Sequence, residues 1–128
     1  MNITNKPTAA ELEILQVLWS EGEASVREVH EILAVNKDTG YTTTLKLMQN
    51  MHSKGFLARE EEGRSHIYRP LINESDTQNS LVRTFMSATF GGSSKKLVMK
   101  ALGQSNPSKE EIKEIRKFLD QLENNPKP

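Results

Sequence analysis

Apolar residues recur at three- and four-residue steps through three stretches of the amino-terminal half, which is the period of a helix with one buried face. The first two stretches each follow a capping box, at Thr8 to Glu11 and at Ser25 to Glu28. In this motif a hydroxyl and a carboxylate accept hydrogen bonds from backbone amides that have no partner inside the helix. The pattern therefore predicts three helices, the third beginning at Tyr41 and ending at Gly55. Their apolar stripes run from Leu12 to Trp19, from Val26 to Leu33 and from Leu45 to Met51.

A β-hairpin is predicted directly after the third helix. Phe56 to Glu62 and Ser65 to Arg69 are two short extended runs that meet at Gly63-Arg64, where glycine allows the positive φ of a tight turn. A further short strand is expected beside the hairpin at Gly22 to Ser25. An exposed arginine at a hairpin tip, next to a polar helix, is typical of the wing of a winged helix-turn-helix, which holds the DNA backbone beside a recognition helix.

After Pro70 the pattern is helical throughout, which predicts a winged-helix domain over 1–70 and a helical domain over 71–128. Three helices are expected, two of them ending at Gly91-Gly92 and at Gly103, and the last beginning at Pro107 or Ser108. Three short helices with this much apolar surface cannot bury it by themselves, so a second copy is expected to cover it. The fold class is therefore mainly α with a small β-wing, followed by a helical dimerisation domain. The predicted dimer contacts are Leu81, Phe85, Phe90, Leu97, Ile112, Ile115, Phe118, Leu119 and Leu122.

The third helix has a polar face that is free to bind a partner. From Thr39 to Arg59 the chain carries hydroxyl, amide and ammonium groups but no carboxylate, a composition suited to phosphates and base edges. Arg27, near the start of the second helix, could reach a phosphate, although a solvated surface arginine is the simpler interpretation. The residues predicted to bind double-stranded DNA are Tyr41, Thr42, Thr43, Lys46, Asn50 and Lys54 on the helix, with Arg64 and His66 on the hairpin.

Charge and composition change this picture little. Lys and Arg together number 17, as do Asp and Glu, but residues 1–38 hold three basic against seven acidic residues whereas 39–70 hold five against three. The basic excess thus lies where DNA binding is predicted. No apolar run approaches the ~20 residues of a membrane span, and residues 1–6 lack the apolar core of a signal peptide. A cytoplasmic location is expected.

Catalytic and metal chemistry find no support in the sequence. Cysteine is absent, which removes disulfides, thiolate metal sites and thiol catalysis. His30, His52 and His66 have no histidine three or four residues away, so no metal pair is indicated. No nucleophile comes with a base in a recognisable motif, and there is no glycine-rich phosphate loop. The chain is predicted not to be an enzyme and to need no metal or cofactor.

The run YTTTLKLMQNMHSKGFLAREEEGRSHIYRP resembles a pattern of the BlaI/MecI/CopY family of penicillinase repressors: Tyr-Thr-Thr, a helix ending in Lys-Gly, then Gly-Arg and Tyr-x-Pro. The resemblance extends upstream to TAAELEILQVLWSEGEASVREVHEIL and downstream through the helical tail. It implies a homodimeric bacterial repressor that binds a palindromic operator through its winged helix. Asn50 departs from the pattern, since family members often carry arginine there. The alternative is a winged helix used only for protein contacts, which the acid-free helix and the wing-tip arginine disfavour.

The resemblance also implies how repression ends. Penicillinase-type repressors are released when a membrane-bound sensor metalloprotease, activated by a β-lactam, leads to cleavage in the short helix of the dimerisation domain. The matching bond here falls near Lys100-Ala101, where the relatives that define this mechanism have Asn-Phe. A proteolytic switch near Lys100 is therefore the hypothesis, and a direct ligand in the dimer interface is the alternative.

Overall fold

A computed structural model describes residues 6–125. The fold is mainly α with one small antiparallel sheet, which confirms the predicted fold class. The chain divides into two compact units, the first ending at Asn79 and the second beginning at Ser80. The elements in order are α1 (Ala9–Glu21), β1 (Ala24–Ser25), α2 (Val26–Ala34), α3 (Tyr41–Ser53), β2 (Leu57–Glu62), β3 (Ser65–Pro70), α4 (Glu74–Phe90), α5 (Ser94–Ser105) and α6 (Lys109–Asn124).

Both predicted capping boxes are present in the first unit. The Glu11 amide donates to Thr8 Oγ1 at 3.2 Å, and the Thr8 amide donates back to Glu11 Oε1 at 2.9 Å. The amides of Glu28 and Ser25 make the equivalent pair of bonds, at 3.2 and 2.8 Å. Because each box satisfies two amides that the helix leaves unpaired, these short motifs fix where α1 and α2 begin.

The core of the first unit lies between the three helices and the sheet. Its fully buried side chains come from every element of that unit before α4, as the predicted apolar stripes require. Trp19 packs against the core, and its Nε1 donates to the carbonyl oxygen of Ile72 at 3.0 Å. The segment after β3 therefore packs with the first unit, while the predicted domain boundary at residue 70 stays a prediction. The buried apolar residues are Ile14, Leu15, Leu18, Ala24, Val26, Val29, Met48, Met51, Phe56, Leu57 and Tyr68.

The sheet has the strand order β1-β3-β2 and is antiparallel throughout. β2 and β3 form the predicted hairpin, closed by the pair Glu62 and Ser65, and Gly63 in its turn has a φ of +62°. β1 pairs with the other edge of β3, with Ser25 opposite Ile67. The expected short strand beside the hairpin is thus confirmed, and it connects the wing directly to the start of α2.

The three carboxyl-terminal helices each begin at a side-chain cap, and one of them ends later than predicted. Side chains of Asn73, Ser93 and Ser108 accept hydrogen bonds at the amino-terminal ends of α4, α5 and α6. The prediction that α5 ends at Gly103 is wrong, because the helix continues to Ser105 and is closed by Asn106 in the left-handed conformation, at φ +54°. A glycine inside a helix costs only ~1 kcal/mol relative to alanine, which the remaining turns can offset.

The second unit buries none of its described side chains completely. Phe85, Phe118 and Leu119 are 52%, 58% and 53% exposed, although each lies on the apolar side of its helix. Further half-exposed apolar residues are Val82, Val98, Met99 and Leu122. Across residues 6–125, no helix is long and apolar enough to cross a membrane.

Candidate nucleic-acid interface

The polar face of α3 is exposed, as the sequence predicts. Met48 and Met51 are completely buried, and Thr44 joins them on the inner side with its hydroxyl 3.4 Å from the Gly40 carbonyl oxygen. Gly40 precedes the helix without a capping side chain, so the first amides of α3 have no side-chain acceptor. Free amides and the positive end of the helix dipole suit an anionic partner. The outward side chains are Tyr41, Thr42, Thr43, Lys46, Gln49 and Asn50.

The wing leaves the end of α3 through a single tight connection. Gly55 has a φ of +84°, and the Phe56 amide returns to the Met51 carbonyl oxygen at 2.9 Å. At the far end of the hairpin Arg64 is exposed beside Gly63, and His66 is exposed on β3 opposite Glu61. The predicted wing residues are therefore exposed, and the His66 ring stands edge-on to the Tyr68 ring, with centroids 6.4 Å apart.

Lys54 is placed differently from the other predicted contacts. Its Nζ lies 2.7 Å from Glu11 Oε2 and 5.7 Å from the centroid of the Phe56 ring. The Glu11 side chain is only 3% exposed and already accepts from the Thr8 amide through its other oxygen. Lys54 therefore neutralises a buried carboxylate and joins the end of α3 to the start of α1.

This arrangement sets the ionisation of Glu11. Burial raises the pKa of the carboxyl, but hydrogen bonds from Lys54 and from the Thr8 amide, with the nearby ammonium charge, outweigh burial and hold the pKa below its ordinary value. The ion pair joins residues 43 positions apart. No spacing rule in a single sequence pairs positions that distant, which is why sequence reasoning assigned Lys54 to DNA and gave Glu11 only a capping role.

A cluster that sequence reasoning did not find surrounds the first residue of α3. The guanidinium carbon of Arg27 lies 5.9 Å from the centroid of the Tyr41 ring. The ring of His30 stands edge-on to the same ring, with centroids 5.8 Å apart and planes at 83°. Tyr41 is nevertheless 42% exposed. The amino-terminal border of the polar face is thus formed by α2 and α3 together.

An open groove of about 690 Å³ runs along α5 in the second unit. Lys100 is exposed on this helix and contributes to the groove, while Ala101 is exposed beside it. The groove is lined by Phe90, Lys95, Lys96, Met99, Lys100, Gly103 and Gln104. Among residues 6–125 there is no group of three or more side chains that could hold a metal ion.

Three helices around a buried core, with α3 exposed on its polar side and an antiparallel wing after it, define the winged helix-turn-helix class of DNA-binding domain. Comparison with solved structures gives the same class. The solution structure of the DNA-binding domain of the repressor BlaI is 30% identical, with a TM-score of 0.53, and the alignment covers 59% of this chain and 93% of that one.

The chain belongs to the penicillinase repressor family, whose sequence profile matches residues 7–121. Methicillin resistance regulatory protein MecI of Staphylococcus aureus (strain N315) is 27% identical over 119 residues, covering 93% of this chain and 97% of that protein. The penicillinase repressor of Bacillus licheniformis is 29% identical over 118 residues, or 92% of each chain. The resemblance recognised in the sequence is confirmed, and the family is one of transcriptional repressors, not of enzymes.

Proposed function

We propose that this protein represses transcription by binding a palindromic operator in double-stranded DNA as a homodimer. The observation that carries the proposal is the exposed face of α3, which displays hydroxyl, amide and ammonium groups without a carboxylate and stands beside a wing tipped by Arg64. Such a face can donate to and accept from base edges in the major groove while a cation holds the backbone.

The roles within this surface follow from position. Thr42, Lys46 and Asn50 follow one another at four-residue steps along α3, and Thr43 lies three residues before Lys46. All four side chains are therefore proposed to face one groove together. Arg64 on the wing is proposed to contact a phosphate, and His66 is proposed to contact the same DNA backbone. Lys54 leaves the proposed interface, since its charge is already paired with Glu11.

The homodimer is supported by the incomplete packing of the second unit. Its half-exposed phenylalanine and leucine side chains are the predicted dimer contacts, and a second copy of the same helices would remove them from water. Two joined winged helices would then bind half-sites about one helical turn apart. Joining two weak binding sites raises the overall affinity without any new contact to DNA.

Proteolytic release is proposed to act on α5. The Lys100-Ala101 bond is exposed but helical, so a protease would need this helix to open locally before the backbone could enter an active site. A cut there would divide the second unit and return the protein to weakly binding halves. The proposed partner is a membrane-bound sensor metalloprotease system. If an immunoblot during induction showed full-length protein persisting while the regulated genes switch on, a direct ligand at the dimer interface would replace this proposal.

The DNA-binding proposal is tested by fluorescence anisotropy on the promoter region beside the protein's own gene. If each protomer neutralises ~3 to 4 phosphates, the slope of log K against log salt concentration should be about −5 to −7 for the dimer. Scrambled DNA of equal length is the control. Binding to neither DNA, or a flat salt response, would instead favour a winged helix that makes only protein contacts.

A further inference from the structure

Two positively charged side chains lie near the two ends of α3, and they differ in whether a carboxylate already neutralises them. Lys54, at the carboxyl-terminal end, is paired with the buried carboxylate of Glu11 at 2.7 Å. Arg27, near the amino-terminal end, is exposed, and no carboxylate within residues 6–125 forms an ion pair with it. Moving Lys54 to a phosphate would leave a buried carboxylate unpaired, whereas Arg27 can take a new anion without such a loss.

Arg27 is fixed in position by the structure around it. Ser25 pairs with Ile67 in the sheet and, as the cap of α2, accepts from the Glu28 amide. Val26 and Val29, on either side of Arg27 in the sequence, are buried in the core. The arginine therefore projects from a first helical turn that is tied both to the wing strand and to the core.

The guanidinium itself lies over the ring of Tyr41. Its carbon lies 5.9 Å from the centroid of the tyrosine ring, and His30 packs edge-on against that ring from α2. A guanidinium at this distance over a ring face is attracted by the ring and keeps its N–H donors available to an anion. Tyr41 is followed directly by Thr42 and Thr43 on the proposed DNA-binding face. The guanidinium thus lies over the residue with which that face begins.

We propose that Arg27, which lies over the ring of Tyr41, contacts a backbone phosphate of the operator, and that Lys54 does not contact DNA. The proposal rests on the proposed DNA-binding function. It assigns the contacts with the DNA backbone to residues on both sides of α3, namely Arg27 on α2 and Arg64 on the wing. A phosphodiester offers two unesterified oxygens, which match the paired donors of a guanidinium.

The test compares full-length R27A and K54M with the wild-type protein in two measurements. The first is the salt dependence of operator binding, at a temperature where all three proteins are folded. The second is thermal unfolding without DNA. For R27A the slope should become less negative by about 0.9 for each lost phosphate contact, or about 1.8 for a dimer, and affinity at low salt should fall roughly 10-fold or more. Its unfolding temperature should stay close to that of the wild type.

K54M should show the opposite combination, with an unchanged slope and a lowered unfolding temperature. R27K, which keeps the charge, should restore the slope. An R27A slope equal to the wild-type slope would overturn the assignment of Arg27 while leaving the repressor function standing, and a reduced K54M slope would overturn the exclusion of Lys54. A wild-type protein without salt-dependent operator binding would overturn both the proposed function and this assignment.

Discussion

The two units of the chain use the same kind of apolar helix to different ends. In the first unit the stripes of α1, α2 and α3 converge on one core with the sheet, and Leu15, Leu18, Val29, Met48 and Met51 are completely buried. In the second unit no described side chain is completely buried. An apolar stripe therefore indicates only that one face of a helix must pack against another apolar surface. Whether that surface lies in the same chain depends on how the elements are connected.

Two ion pairs of the first unit also differ in how far their side chains are buried. The pair Glu11 and Lys54 holds a carboxylate that is 3% exposed, whereas Glu13 and Lys37 form an equally short pair whose side chains are 43% and 48% exposed. Water competes for the second pair but hardly for the first carboxylate. Distance alone thus does not tell which ion pair supports the fold.

The largest expected effect follows from placing a charge in the unpartnered apolar face. Phe118→Asp should dissociate the proposed dimer, because a carboxylate without a partner in an apolar seam costs several kcal/mol. Sedimentation at micromolar concentration should show a monomer with greatly reduced operator affinity. Lys117→Asp, one residue away but on the opposite side of α6, is the matched control and should stay dimeric. A wild-type monomer with full operator affinity would refute the contrast drawn between the units.

A smaller loss is expected when the buried carboxylate of the first unit loses its cation. Lys54→Met keeps the aliphatic stem near Phe56 but leaves Glu11 without the charged donor, and should lower the free energy of unfolding by about 2 to 3 kcal/mol. Lys37→Met removes the exposed pair and should cost less than about 1 kcal/mol. Chemical denaturation of both variants measures the difference. Equal losses would show that burial does not distinguish the two pairs.

Acid should weaken the first unit through the same carboxylate. The folded-state pKa of Glu11 lies below its ordinary value of 4.5, so the group contributes stability above that value and loses it as the pH falls through the lower folded-state pKa. The stability difference between wild type and E11Q should therefore shrink as the pH is lowered from about 6 to about 3. A difference that stays constant over this range would exclude Glu11 as the source.

A substitution on the exposed face of α3 should change the preference among DNA sequences and not the stability of the fold. Thr43→Ala removes a hydroxyl without disturbing the core, and should change the preference among operator variants by roughly 1 kcal/mol if that hydroxyl touches a base. Ser53→Ala, at the carboxyl-terminal end of the same helix, is the control. Competition binding with single-base operator variants gives the measurement, and an unaltered order of preference would remove Thr43 from base recognition.

The smallest effect concerns the glycine that α5 passes through. A Cβ at Gly103 would meet no atom within 4 Å, and the residue is helical, so Gly103→Ala should raise the free energy of unfolding by about 0.5 to 1 kcal/mol. Gly91→Ala should instead be destabilising, because Gly91 has a φ of +58°. Denaturation curves that ranked the two variants in the other order would contradict the observed end of α5.

Local sequence signals placed most of the elements correctly. The capping boxes, the Gly63 turn and the serine caps each involve residues within four positions of one another, so the sequence alone predicts them. The end of α5 was predicted wrongly because the local signal at Gly103 did not decide it. Glycine often ends a helix, but whether α5 ended at Gly103 or at Asn106 depended on the stability of the whole helix.

The sequence by itself determined where helices and strands begin, which helix faces are apolar, that α3 carries no carboxylate, and to which family the chain belongs. These properties reside in single residues and short spacings. Only the tertiary structure decided that Lys54 neutralises Glu11, that Arg27 and His30 contact the ring of Tyr41, and that the apolar stripes of one unit are buried while those of the other stay partly exposed. Such contacts join residues distant in the chain, and their geometry follows from the packing of whole elements, which no local pattern records.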